Sequence, residues 1–177
     1  HRRGPVELQG FRGSYHGEIL MFPDDLTIQA TELLQACRDG GVMVATAESC
    51  TGGLIAGCLT EIAGSSDVVD RGFVTYSNQA KNTMLDVPVA LIEAQGAVSE
   101  PVARAMAEGA IAHSDATLSV AVTGVAGPGG GTAEKPVGLV HLACARRGGD
   151  TTHREQRYGD LGRAGIREAT IRTALEM

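Results

Sequence analysis

Between residues 26 and 39 apolar side chains recur at helical spacing, with Leu33, Leu34 and Cys37 on one face. This predicts a helix capped by Asp25 and ended by Gly40-Gly41. The period then shortens. Residues 42–46 form a brief apolar run that reads as a buried strand, ESCTGG turns the chain, and residues 54–62 read as a helix. After the Gly64-Ser65-Ser66 loop, the β-branched and aromatic residues of 68–76 predict a strand. Ser77 or Asn78 then caps a short helix carrying Lys81, and Pro88 opens another. Ser99 caps a longer helix over 100–113, in which Val102, Met106 and Ala110 recur every four residues. Residues 118–123 form a second buried strand and 124–138 a Gly/Pro-rich loop. Two strands follow, 137–145 and 151–158, joined by a turn at Arg147-Gly148-Gly149. Asp160 caps a last helix with Arg163 in its first turn.

Strands alternating with helices predict an α/β layer fold with helices on both faces of the sheet. The closing hairpin makes that sheet mixed, and the remaining strands make it mostly parallel. No repeat or linker divides residues 21–177, which read as one domain. Residues 1–20 lack periodicity and a secretory apolar core. They read as a poorly ordered leader before Met21, vector-derived or translated from upstream.

Composition narrows the function. Aromatics are 3% and Trp is absent, leaving few rings on which bases could stack. The net charge of −6 argues against nucleic acid, while still allowing a local positive pocket for a small anion. No apolar run approaches a membrane span. Cys37, Cys50, Cys58 and Cys144 have no C-x-x-C spacing, which fits a reducing, cytoplasmic setting. No grouping has metal-ligand spacing, so no metal or cofactor is expected. A homo-oligomer is left open.

The segment Glu48-Ser49-Cys50-Thr51-Gly52-Gly53 joins a buried strand to a helix. A hydroxyl there is presented at the sheet edge, beside helix N–H groups able to hold a phosphate or an oxyanion. A plain helix cap at Ser49 is the competing interpretation. Cys50 is a rival nucleophile, or else a small buried apolar residue. Serine needs a base. His113, His141 and His153 are not convincingly placed, and a Ser-Lys pair is the other solution. Lys81 and Lys135 are the only lysines. Lys81 is the candidate if burial lowers its pKa, and a solvated surface charge if not. The loop from Thr123-Gly124 through Gly127 follows a strand, as ligand-cradling turns do, or is a surface loop. Arg163 sits where the helix dipole disfavours a cation, which hints at an anion partner.

Five stretches together resemble the CinA C-terminal domain family, the nicotinamide-nucleotide amidases. They are ATAESCTGG (45–53), GSSDVVDRGFVTYSNQAK (64–81), GAVSEPVARAMAEGA (96–110), VAVTGVAGPGGGTAEKPVG (120–138) and GDLGRAGIREATI (159–171). The resemblance implies a three-layer α/β/α sandwich. It also implies hydrolysis of nicotinamide mononucleotide to nicotinate mononucleotide and ammonia, in pyridine-nucleotide recycling. On this resemblance Ser49 is the nucleophile, Lys81 the base and Tyr76 its catalytic neighbour. The amides of Cys50, Thr51, Gly52 and Gly53, or of Gly124, hold the oxyanion. Thr123 and Gly124 line the substrate site, and Arg163 with the loop at Gly127 holds the phosphate. Asp160 and Arg163 stand three apart, where many members place Arg directly after Asp. The alternative function is a non-catalytic nucleotide-binding module linked to competence or DNA damage.

Overall fold

In the computed structural model, which describes residues 21–177, the first helix α1 (Asp24–Asp39) opens at Pro23, not at Asp25. The Pro23 carbonyl takes the N–H groups of Leu26 and Thr27, so Asp25 already lies inside the first turn, where it pairs with Arg172 at 2.7 Å. The leader assigned to residues 1–20 lies outside the described residues. The first strand, β1 (Val44–Glu48), starts two residues later than its hydrophobicity suggests, because the Val42 N–H still closes the end of α1 on the Cys37 carbonyl. There follow α2 (Leu54–Thr60), β2 (Val69–Val74), α3 (Asn78–Leu85), α4 (Val89–Gln95) and α5 (Glu100–Ala112). The chain closes with β3 (Leu118–Gly124), β4 (Leu139–Arg146), β5 (Thr151–Arg157) and α6 (Gly162–Glu176). Ser77 caps α3 by accepting from the Ala80 N–H. Ser99 precedes α5 but turns its hydroxyl back to the Gly96 carbonyl. Leu161 takes the cap position of α6, and Asp160 accepts from the Gly162 N–H.

The five strands form one sheet in the order β2-β1-β3-β4-β5. β1 runs parallel to β2 and β3, whereas β3–β4 and β4–β5 are antiparallel. Half of the pairings are therefore antiparallel, and the sheet is evenly mixed rather than mostly parallel. The reason is that the long loop after β3 returns the chain as an immediate neighbour instead of crossing over through a helix. Four of the five strands still point the same way, so β1, β2, β3 and β5 end at a common edge.

Strand alternation builds two different faces. Val44, Val120, Val122, Val140 and Leu142 face α1, α2 and α6. Ala45, Ala47, Ala121, Ala143 and Ala145 face α3, α4 and α5. The second face is lined with alanine, so α5 lies close to the sheet, and the buried Ser119 hydroxyl reaches the Ala107 carbonyl at 2.7 Å. The result is a helix–sheet–helix sandwich. The alternation also decides where two neighbours point. Glu48 continues the α2 side, and Ser49 turns to the α3 side.

Candidate active site

Ser49 directly follows β1, where its N–H bonds the Val122 carbonyl of β3. It does not start a helix. Gly52 and Gly53 take φ of +61° and +99°, a left-handed pair that bends the chain before α2 begins at Leu54. Gly53, not Ser49, holds the cap position, which removes the reading of Ser49 as a plain helix cap.

Across the turn, α3 delivers Lys81 from the opposite side. Its Nζ lies 3.0 Å from Ser49 Oγ and donates to the Thr75 carbonyl at 2.9 Å. Thr75 is itself fixed by its N–H on the Glu48 carbonyl. Lys81 is 1% exposed, and no carboxylate pairs with it among the described residues. Burial therefore holds its pKa below the ordinary lysine value. The histidines are engaged elsewhere. His141 meets His153 at 3.0 Å, and His113 meets Asp86 at 2.6 Å. Cys50 is buried, and desolvation pushes its thiol up to about 11, so it stays protonated near neutral pH.

The other expected site residues divide into three groups. Tyr76 and Gly127 are joined through Arg163, whose guanidinium donates to the Gly127 carbonyl at 2.9 Å and to Tyr76 Oη at 3.1 Å. Tyr76, 61% exposed, thus accepts from Arg163 and makes no hydrogen bond to the Ser49–Lys81 pair. Thr51 and Gly53 turn inward. The Thr51 hydroxyl and the Gly53 N–H both go to the Glu48 carboxylate, so neither is free for a ligand. The Gly52 N–H is taken by the Ser49 carbonyl. Thr123 is buried and donates to the Ala97 carbonyl at 2.8 Å, pinning the loop between α4 and α5. Gly124 ends β3 against Val140.

Two residues of this edge were not singled out from the sequence. Glu48 is one, although an acid closing an apolar run beside a nucleophile is a readable signal. Arg167, one turn after Arg163, is the other; it donates to the Thr51 carbonyl at 2.9 Å, and its Nε is buried without a partner among the described residues. Neither Arg163 nor Arg167 meets a carboxylate among the described residues, which leaves the α6 end of this edge locally positive.

A serine hydroxyl and a buried lysine, with no carboxylate beside the lysine among the described residues, meet at the carboxyl edge of an α/β/α sandwich, and these features define the class of domain. The CinA C-terminal domain matches residues 27–177, and the chain belongs to that family. It is 53% identical over 150 residues to a CinA-like protein of Akkermansia muciniphila, covering 85% of this chain and 35% of that one. A CinA-like protein of Synechococcus sp. is 49% identical over 162 residues, covering 91% and 38% respectively. The chain thus spans little more than a third of the length of these relatives. Among solved structures, a competence/damage inducible protein from Agrobacterium tumefaciens superposes with a TM-score of 0.88 at 60% identity, covering 90% of this chain and 96% of that one. A CinA superfamily protein from Escherichia coli gives 0.82 at 33% identity, covering 90% and 92%. No helix among the described residues is long and apolar enough to cross a membrane.

Proposed function

We propose that this domain is an amidohydrolase converting nicotinamide mononucleotide to nicotinate mononucleotide and ammonia through Ser49 and Lys81. The observation that carries the chemistry is a buried lysine, unpaired with any acid among the described residues, in hydrogen-bond contact with a serine hydroxyl. The substrate follows from the motifs shared with the CinA C-terminal family.

Neutral Lys81 takes the Ser49 proton as Oγ attacks the carboxamide carbon. The resulting oxyanion is held by backbone N–H groups at the Cys50–Thr51 turn, a contribution of about 2.7–4 kcal/mol per donor in comparable sites. The protonated lysine then passes its proton to the leaving nitrogen, the C–N bond breaks and ammonia departs. Water, deprotonated by Lys81, hydrolyses the ester and frees the acid. Arg163 and the loop at Gly127 hold the phosphate, and no cofactor enters.

The test is to incubate the protein with nicotinamide mononucleotide and follow ammonia and the new carboxylate. Binding without ammonia release would instead fit a nucleotide-binding module. Release from free nicotinamide but not from the nucleotide would move the substrate to the free base. Arg163→Ala is expected to raise KM roughly tenfold or more, about 1.4 kcal/mol, with kcat within a few-fold. Steady-state kinetics checks this, and an unchanged KM would place the phosphate elsewhere.

A further inference from the structure

We propose that Glu48 is a positioning residue that fixes the oxyanion-holding turn of Ser49 by consuming the amino-terminal donors of α2. The inference rests on the Ser49–Lys81 reading above. Glu48 ends β1 with no exposed surface, and no lysine or arginine pairs with it among the described residues. Its Oε2 accepts from the Thr51 hydroxyl at 2.6 Å, the Gly53 N–H at 3.1 Å and the Ile55 N–H at 3.0 Å. Its Oε1 accepts from the Ala56 N–H at 2.8 Å.

These bonds leave a short remainder. The Gly52 N–H goes to the Ser49 carbonyl and the Leu54 N–H to the Thr51 carbonyl. From Cys50 to Ala56, the N–H groups of Cys50 and Thr51 alone lack an acceptor among the described residues. They follow the nucleophile immediately, where donors to a tetrahedral oxyanion belong.

Burying a carboxylate is costly, and a small polar cap at position 53 would satisfy α2 at lower cost. A cap reaching from the strand does something that a local cap does not. It ties the start of α2 to the end of β1, so the arc from Cys50 to Gly53 keeps a fixed relation to Ser49.

The experiment compares the full chain with Glu48→Gln and Thr51→Val, using a fluorophosphonate probe. The probe forms a P–O bond to Ser49 Oγ and loses fluoride, with the serine proton passing to Lys81, and intact mass reports the rate. The glutamine variant turns an NH2 group toward backbone donors, and labelling is expected to slow roughly tenfold, less than the 10²–10³-fold of deleting a donor outright. Thr51→Val removes one of the four bonds and is expected to slow labelling about threefold on the same argument. Both variants should remain folded at the assay temperature by circular dichroism, and kcat for nicotinamide mononucleotide should fall with KM unchanged. Wild-type labelling rates in folded variants would overturn the proposal; if Glu48→Gln does not fold, Thr51→Val decides alone. Labelling of Ser49 in a protein that releases no ammonia would overturn the substrate, while the variant rates still judge Glu48. No labelling of Ser49 in the unaltered protein would overturn both.

Discussion

Lys81→Met is expected to lower kcat for nicotinamide mononucleotide by at least roughly 10³-fold, about 4 kcal/mol of barrier, while the protein stays folded. Methionine matches the length of the lysine stem and fills the same pocket, so the packing under α3 survives. What disappears is the acceptor for the Ser49 proton. Ser49→Ala should be equally inactive, and the double variant no worse than either single one, because the two groups act as a unit. In the unaltered protein the rate should rise with pH, since the lysine must be neutral to accept a proton. Burial disfavours the charged form, so that rise falls below the ordinary lysine range. A pH–rate profile of kcat/KM checks the sign. A rate that falls through this range, or a methionine variant with near-native turnover, would remove Lys81 as the base.

Gly109→Ala should cost about 2 kcal/mol or more, lowering the melting temperature by about 5–10 °C. Alanine normally strengthens a helix interior by about 1 kcal/mol over glycine. Here a Cβ would overlap the Leu85 carbonyl oxygen and lie 2.9 Å from the Leu85 Cβ. Leu85 ends α3, the helix that carries Lys81, so the clash acts on an element of the site. Gly57→Ala in α2 is the control. Among the described residues its Cβ would meet only Phe22 Cζ, at 3.6 Å, and the ordinary helix preference should make it neutral or stabilising. The Gly109→Ala melt should therefore fall while the Gly57→Ala melt stays level or rises; a Gly109→Ala melt equal to that of the unaltered protein would refute the close approach of α5 to α3.

The element order was readable from the sequence because period and punctuation agree along most of the chain. Gly40-Gly41, Pro88 and Arg147-Gly148-Gly149 all fall at boundaries. The errors have local causes. Asp25 looked like a cap because its type is preferred there, yet Pro23 had already supplied the carbonyl. The sheet looked mostly parallel because helices separate the early strands, whereas pairing order is set by where the 125–138 loop returns. At the site, the Ser49–Lys81 contact spans 32 positions, and residue type and motif were enough to suggest it. Glu48 is hard to single out because a strand pattern registers a charge as an interruption. Its meeting with the start of α2 depends on how the chain turns after β1, which a strand pattern does not carry. Tyr76 was expected beside Lys81 and Thr51 at the substrate, but hydroxyl groups bond whichever neighbour the fold supplies, here Arg163 and Glu48.

Because β4 runs against its neighbours, the β4–β5 hairpin turns at the sheet edge opposite Ser49. Gly148 and Gly149 are exposed there, a strand's length from the chemistry, about 20 Å. A fluorescent reporter grafted at that bend would leave the edge carrying Ser49 and Lys81 untouched and give a handle for immobilising the domain with that edge facing solvent.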